Sequence, residues 1–343
     1  MRIGAFLIPL LLHCASGGVP AGDLVSDKMV ANRGEIRIMW YNVENLFHPE
    51  NDTIPGDDEF TPDGVRRWTY ARYRKKLTAI SKVIVAAGEW DPPDLLGLCE
   101  VEDARVLEDL IQHPILAPYH YHYIHQDSPD RRGMDVACLF RVKRIQPVGW
   151  EVIKSEYSRG NEGTRDIVHF WGSWGQHDSL DIFLVHLISK YGGAGATAGV
   201  RKRQVTQLVR LADSVHGGRK SSLTILAGDF NDSMEGYSLV PIREGHLGDD
   251  TLVRVHMDGP LGTYKYQGDW NQIDRFLVGG QLATYSIRGS ILTLPVLLSH
   301  DAIFGGVIPH RTYVGYLYQG GISDHLPILL DITGGLRSSH SER

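Results

Sequence analysis

The stretch Thr224 to Ser233, Thr-Ile-Leu-Ala-Gly-Asp-Phe-Asn-Asp-Ser, limits what this chain can fold into more than any other. Its apolar run shows no polar alternation and stops at Gly228, so it reads as a strand covered on both faces. Asp229 and Asn231 follow, which places a carboxylate and an amide at the C-terminal mouth of the strand, where open α/β sheets put their chemistry. Residues two apart on an extended backbone point the same way, so Asn231 stands where it can orient what Asp229 activates. Taken alone, an Asp-x-Asn after a strand also reads as a polar turn.

Four further polar clusters end strand-like runs: Asn42 with Glu44 and Asn45, Glu100 with Glu102, His186 with Ser189 and Lys190, and Asp324 with His325. Asp274, in Asn-Gln-Ile-Asp-Arg-Phe-Leu, joins them. Each has an ordinary explanation by itself. Asn42 suits an Asx-turn, Glu100 a helix N-terminus, and a single histidine a structural place. In this order, however, the set resembles the endonuclease/exonuclease/phosphatase superfamily, the deoxyribonuclease I-like fold that includes apurinic endonucleases, inositol polyphosphate 5-phosphatases and neutral sphingomyelinases. The likeness runs from about Ile36 to Ile332.

The resemblance implies an α/β (α+β) fold, a four-layer sandwich of two stacked mixed β-sheets flanked by helices, with the site at the rim where both sheets converge. It also implies roles. Glu100 matches the metal carboxylate, and Asp324 the carboxylate beside the metal. Asn42 positions metal and phosphate, Asp229 orients or deprotonates the attacking water, and Asn231 contacts the phosphate or that water. His186 hydrogen-bonds the scissile phosphate, while Asp274 orients His325, a general acid or base. Arg165 matches an arginine that braces phosphate; an ion pair with Asp166 or Asp135 is its alternative. Asp135 is further expected to be the carboxylate partner of His186. Leu187 to Tyr191 depart from the more basic, hydroxylic run usual after that histidine.

Phosphodiester hydrolysis needs a cation at the phosphoryl oxygens, a base for water and a partner for the departing oxygen. Oxygen donors favour a hard divalent ion, so Mg²⁺ is the expected cofactor, with Mn²⁺ or Ca²⁺ able to substitute. The chain carries a net charge of −6 over 343 residues, which argues against coating nucleic acid by bulk electrostatics but not against a transient visit to a phosphodiester.

Residues 1–21 open with Arg2, an apolar Ile3 to Leu12 and small residues, the pattern of a secretory signal too short to span a membrane. The expectation is a secreted or periplasmic protein, with a lipid anchor through Cys14 as the less favoured form because His13 precedes that cysteine. Beyond it lie a flexible lead-in over 22–34, one domain over 35–334 and a polar tail over 335–343. Cys99 and Cys138, each in a strand-like run, read as buried fillers rather than a bridge.

Ile36 to Trp40 alternate with polar neighbours as a first strand ending at Asn42, and residues 48–69 read as a long surface loop. Tyr73, Leu77, Ile80, Ile84 and Ala87 form the apolar stripe of a helix closed by Gly88. Further strands are expected over 95–99, 134–140, 167–171, 180–186, 273–278 and 328–332, and a glycine-rich loop over 192–199 leads into a second helix around Val200 to Ala212.

The leading functional expectation is a secreted, divalent-metal-dependent phosphodiesterase, a nuclease acting on DNA or RNA. Its partner is then a nucleic-acid phosphoester, with no stable protein partner and no integral membrane segment in the mature chain. The alternatives are a phosphatase of inositol phosphates, a phospholipid headgroup hydrolase docking through a loop such as Val296 to Leu298, or a non-catalytic binding module. Arg66 to Lys76, basic and interleaved with aromatics, suits either a strand-binding surface or the solvated face of a helix.

Overall fold

The computed structural model describes residues 34–334 apart from 52–57, 157–162, 176–177, 191–192, 220–221, 248–249, 260 and 281. The leader with Cys14, the lead-in up to Arg33 and the tail lie outside these residues. In chain order the main elements are β1 (Glu35–Leu46), α1 (Tyr70–Ala87), β2 (Leu95–Val101), α2 (Ala104–Ile111), β3 (Tyr121–Ile124), β4 (Asp135–Arg141), β5 (Gln146–Ile153) and β6 (Ile167–Trp174). There follow β7 (Asp178–His186), α3 (Ala194–Gly218), β8 (Leu223–Asp229), β9 (Val253–Arg254), β10 (Met257–Asp258), β11 (Asp274–Gly279), β12 (Tyr285–Ile291) and β13 (Ile328–Gly334). A seven-stranded sheet runs β10-β12-β13-β1-β2-β4-β3, and a six-stranded sheet runs β9-β11-β8-β7-β6-β5.

In each sheet a parallel pair is joined across a long helix, and the first sheet has a further short parallel pairing of β10 with β12. β1 pairs with β2 through α1, and β7 with β8 through α3. Parallel neighbours end at the same edge, so Asn42, Glu100, His186 and Asp229 are all delivered to strand C-termini. Residue alternation explains the layers. Ile225, Ala227 and Phe276 point from the second sheet into the core it shares with the first, while Leu226, Leu277 and Phe183 point the other way, against Val205, Leu208 and Ala212 of α3. The outer face of the first sheet is covered by α1 and α2 through Leu77, Ile80, Ile84, Val106 and Leu110. Each such side chain contributes about 1.5–3 kcal/mol of hydrophobic stabilisation.

The two-stack architecture agrees with the expectation, and several local details do not. β1 does not alternate: Met39 and Tyr41 are as buried as Ile38 and Trp40, because a central strand lies between the second sheet and α1. It also continues past Asn42 to Leu46 through a register shift. Most of the glycine-rich stretch is helical, since α3 starts at Ala194. Asp103, not Glu100, caps the helix that follows β2, and the Glu102 carboxylate accepts the His48 N–H at 2.6 Å. Cys99 and Cys138 are both free and buried.

The basic stretch is used internally more than its composition suggests. Arg66 lies over the rings of Phe60, Tyr313 and Tyr316 and donates to the Gly315 carbonyl at 2.7 Å. Arg72 lies over Tyr318, and Lys76 is fully buried, donating to the Glu44 carbonyl and to Thr312 Oγ1. Among the described residues no helix is long and apolar enough to cross a membrane.

Gly97 of β2 faces the other sheet with no room for a methyl group: a Cβ there would stand 2.6 Å from Trp40 and 2.8 Å from Leu184. Gly97→Ala is therefore expected to destabilise by about 1–3 kcal/mol through overpacking, read as a lower denaturant midpoint at unchanged slope.

Candidate active site

Strand order fixes where each polar side chain stands along the rim. In the first sheet the sequence of strand ends is His325 ahead of β13, Asn42 on β1, Glu100 at the end of β2, and the Arg132 turn ahead of β4. In the second it is Asp274 opening β11, Asp229 ending β8, His186 ending β7, and Arg165 just ahead of β6. Register confirms the second row, with Asp274 opposite Asp229 and Asp229 opposite His186.

The two rows meet at Asp229. Its Oδ2 lies 3.7 Å from His186 Nε2, 3.8 Å from His325 Nε2 and 3.3 Å from Asn42 Nδ2, and its Oδ1 accepts the Asn231 N–H at 2.8 Å. Asn42 Nδ2 also approaches Glu100 Oε1 at 3.3 Å, so one amide ties the carboxylates of the two sheets. Glu100 Oε2 accepts the Asn45 N–H at 3.0 Å, and His186 Nε2 lies 3.9 Å from Glu100 Oε1. Asp274 is enclosed. Its Oδ2 lies 2.7 Å from His325 Nδ1, and its Oδ1 accepts the Trp40 indole N–H at 2.9 Å, which fixes the imidazole from behind. Tyr264 packs on the His325 ring with centroids 5.0 Å apart.

Four non-glycine residues here hold the left-handed backbone: Glu44, Asn45, Glu100 and Asn231, with φ of 50°, 54°, 62° and 50°. Such conformations cost about 1–3 kcal/mol each and persist only where neighbours enforce them. The enforcing bonds are the ones named above, together with Asn42 Oδ1 accepting the Glu44 N–H at 3.0 Å. The buried Glu44 carboxylate in turn accepts the Thr312 and Tyr313 N–H groups at 2.6 and 3.3 Å, holding the segment that leads to Asp324 and His325.

Electrostatics follow from enclosure. Burial, with the charge of Asp274 added, raises the Asp229 carboxyl to about 7, although His325 and the Asn231 N–H pull the other way. Burial alone would lower the His325 imidazole; the charge and hydrogen bond of Asp274, with Asp229 and Asp324 beyond it, outweigh that and hold it well above its ordinary value. His186 is driven well below its ordinary value, first by burial and then by Arg165, Arg132 and His325, so it stands neutral beside a cationic imidazole.

Sequence-derived expectations fare unevenly in detail. Asp135 does not partner His186. Its carboxylate lies 3.0 Å from His125 Nε2 and accepts Ser128 N and Oγ, because β3, which His125 directly follows, pairs with β4. His186 Nδ1 has no hydrogen-bond partner among the described residues. Arg165 pairs with neither Asp166 nor Asp135 but with Asp130, at 3.1 Å. Asn231 holds Asp229 through its backbone, and its amide donates to the Leu187 carbonyl at 3.0 Å. Asp324 pairs with Arg311 at 2.6 Å. Trp40, Tyr264 and Ser323, whose Oγ donates to the Asn42 carbonyl at 2.6 Å, were not singled out by sequence, and Glu44 stood there only as a polar neighbour of Asn42; of the first three only Ser323, adjacent to Asp-His, carried a local signal.

Among the described residues two groups of side chains lie close enough to hold an ion: Asp229 with Asp274 and His325, and His125 with Asp127 and Asp135. At the first, Glu100 adds a carboxylate beside the buried Asp229 and Asp274, with the Asn42 NH₂ group donating to Glu100 and Asp229, and these carboxylate oxygens fit a hard divalent cation.

Comparison with known proteins places this geometry. The chain is similar to the catalytic domain of human Nocturnin with bound sulfate (16% identity over 88% of this chain and 95% of that one, TM-score 0.55). It is similar to an endonuclease/exonuclease/phosphatase family protein of Bacteroides thetaiotaomicron (17%, 90% and 98%, 0.55). It is also similar to TDP2 of D. rerio complexed with single strand DNA product (13%, 87% and 98%, 0.53). At these identities the likeness is one of fold. No curated protein matches the chain. Residues 37–334 match the model of the Endonuclease/Exonuclease/phosphatase family, and with both sheets and the converging rim in agreement, the chain belongs to that family.

Proposed function

We propose that this protein is a secreted, Mg²⁺-dependent phosphodiesterase that cleaves DNA or RNA. The observation that carries the reading is the convergence on Asp229 Oδ2 of His186, His325 and Asn42, from both sheets, within 3.8 Å. A carboxylate, a neutral imidazole and an imidazolium thus face one point, against which a tetrahedral anion can be held. Glu100, with Asp324 nearby on the rim, would hold the cation, which when bound neutralises charge on the phosphoryl oxygens.

The side chains then divide the work. Asp229, poised near neutrality by its burial, takes the proton of water as the new P–O bond forms and the bond to the departing oxygen breaks. Asn231 keeps Asp229 in place through its N–H, and Asn42 spans phosphate and metal side. His186 donates from Nε2 to a phosphoryl oxygen, and His325, kept cationic by Asp274, faces the developing charge. Support for nucleic acid comes from the fold shared with a TDP2 complexed with single strand DNA product.

A phospholipid headgroup substrate is the second reading, favoured by the exposed apolar residues Val296, Ile303 and Phe304. With Mg²⁺ the mature protein is expected to nick supercoiled plasmid, and the activity to vanish with chelator. Intact plasmid alongside phosphate release from inositol phosphates, or headgroup release from phospholipid vesicles, would select the other substrates. Inertness toward every phosphoester would favour a binding module.

A further inference from the structure

Beyond His186 and Glu100, the next strand end in each sheet carries an arginine. Arg165 precedes β6 and Arg132 precedes β4, so both stand one strand, about 5 Å, further from the Asp274–His325 side than His186 and Glu100 do. A backbone bridge between Asp130 and Gly163 ties these two turns together across the sheets. The Asp130 carboxylate sits between the arginines. It lies 3.1 Å from Arg165 Nε and 4.0 Å from Arg132 Nε, and it accepts the Arg132 N–H at 3.0 Å.

Asp130 is the carboxylate in contact with both guanidiniums, while Glu100 and Glu59 act on Arg132 from farther off. Arg165 is 2% exposed in its side chain, and its Nη2 is buried with no hydrogen-bond partner among the described residues. A buried guanidinium with an unused donor is costly unless an anion completes it. Arg132, half exposed, opens the same place to solvent. Arg165 and Arg132 also depress the His186 imidazole, so their charge reaches the reaction centre.

We propose that Arg132 and Arg165, gathered on Asp130, form a second anion subsite that takes a further phosphate group of the substrate. The proposal rests on the phosphodiesterase reading and narrows it to substrates carrying at least two phosphates. A neighbouring phosphate of a nucleic-acid chain and a second monoester on a cyclic polyol offer the same chemistry.

The test uses thymidine dinucleotides with and without a terminal phosphate, and inositol mono- and bisphosphates. Binding is measured by calorimetry in chelator, and hydrolysis with Mg²⁺. In the wild type the added phosphate should tighten binding about tenfold or more in one series, which identifies the source. Arg132→Ala and Arg165→Ala should bring that ratio to within about twofold of unity. Arg132 lies outside the core, so its variant should keep the wild-type melting temperature and decides the matter alone if Arg165→Ala does not fold. No preference in the wild type in either series, or a preference kept in folded Arg132→Ala, overturns the subsite. Dinucleotides that bind with the expected ratio yet stay uncleaved overturn the nuclease reading and leave the subsite standing.

Discussion

Asp229→Asn is expected to lower kcat for phosphodiester hydrolysis by about 10³-fold while raising, not lowering, the melting temperature in chelator at pH 8. The carboxylate is fully buried, opposite Asp274, and its pKa is raised from 3.8 to about 7. A carboxyl whose folded pKa is raised binds its proton more tightly in the folded state. Stability therefore falls as pH rises from about 4 to about 7, and above that window the ionised group carries its full burial cost. The neutral amide removes that cost and the repulsion from Asp274. A gain of about 2–4 °C per kcal/mol relieved is expected at pH 8, fading as pH falls toward 4. Thermal melts of both proteins across this range check it. A variant that loses activity and stability together would make Asp229 a structural residue.

His325→Ala and Asp274→Ala should each cost about 10²–10⁴-fold in kcat, and the double variant little more than the worse single one. The reason is the 2.7 Å contact between Asp274 and His325 Nδ1: Asp274 acts through the imidazole, so once the ring is gone its carboxylate has nothing to orient. The pair also has a signature in titration. Because the folded pKa of His325 is raised, the stability it contributes is fully present below the ordinary value of 6.5 and is lost as pH climbs through the folded value. In Asp274→Asn the imidazole should titrate nearer its ordinary value, followed by NMR. Losses that multiply in the double variant would show two independent functions.

The elements that were legible in sequence are those whose signal is local. The Thr224 to Asp229 run, the α1 stripe closed by Gly88 and the Asp-His dipeptide lie where their patterns put them. What sequence hid depends on distance in space. β1 lacks alternation because the second sheet and α1 cover both its faces, a fact no window of residues contains. Asp135 sits two residues from Gly133 in a promising motif, yet its partner is His125, chosen by the strand pairing of β4. Glu44 looked like one more polar residue after a strand, whereas it is buried and clamps the Thr312 and Tyr313 amides from a turn more than 260 residues away. Arg132 was passed over because its meaning depends on Asp130 and Arg165 meeting across two sheets.

The claim beneath all of this is that one rim, assembled from both sheets, cleaves a phosphodiester with the help of a divalent cation and Asp229. Its most direct test is the single-turnover cleavage rate of bis(p-nitrophenyl) phosphate by chelator-stripped protein as Mg²⁺ is added back. The wild type should recover activity saturably from a baseline near zero, and Asp229→Asn should stay at least about 10²-fold lower at every concentration. Cleavage that persists without the cation, or an Asp229→Asn curve that overlays the wild type, would contradict it.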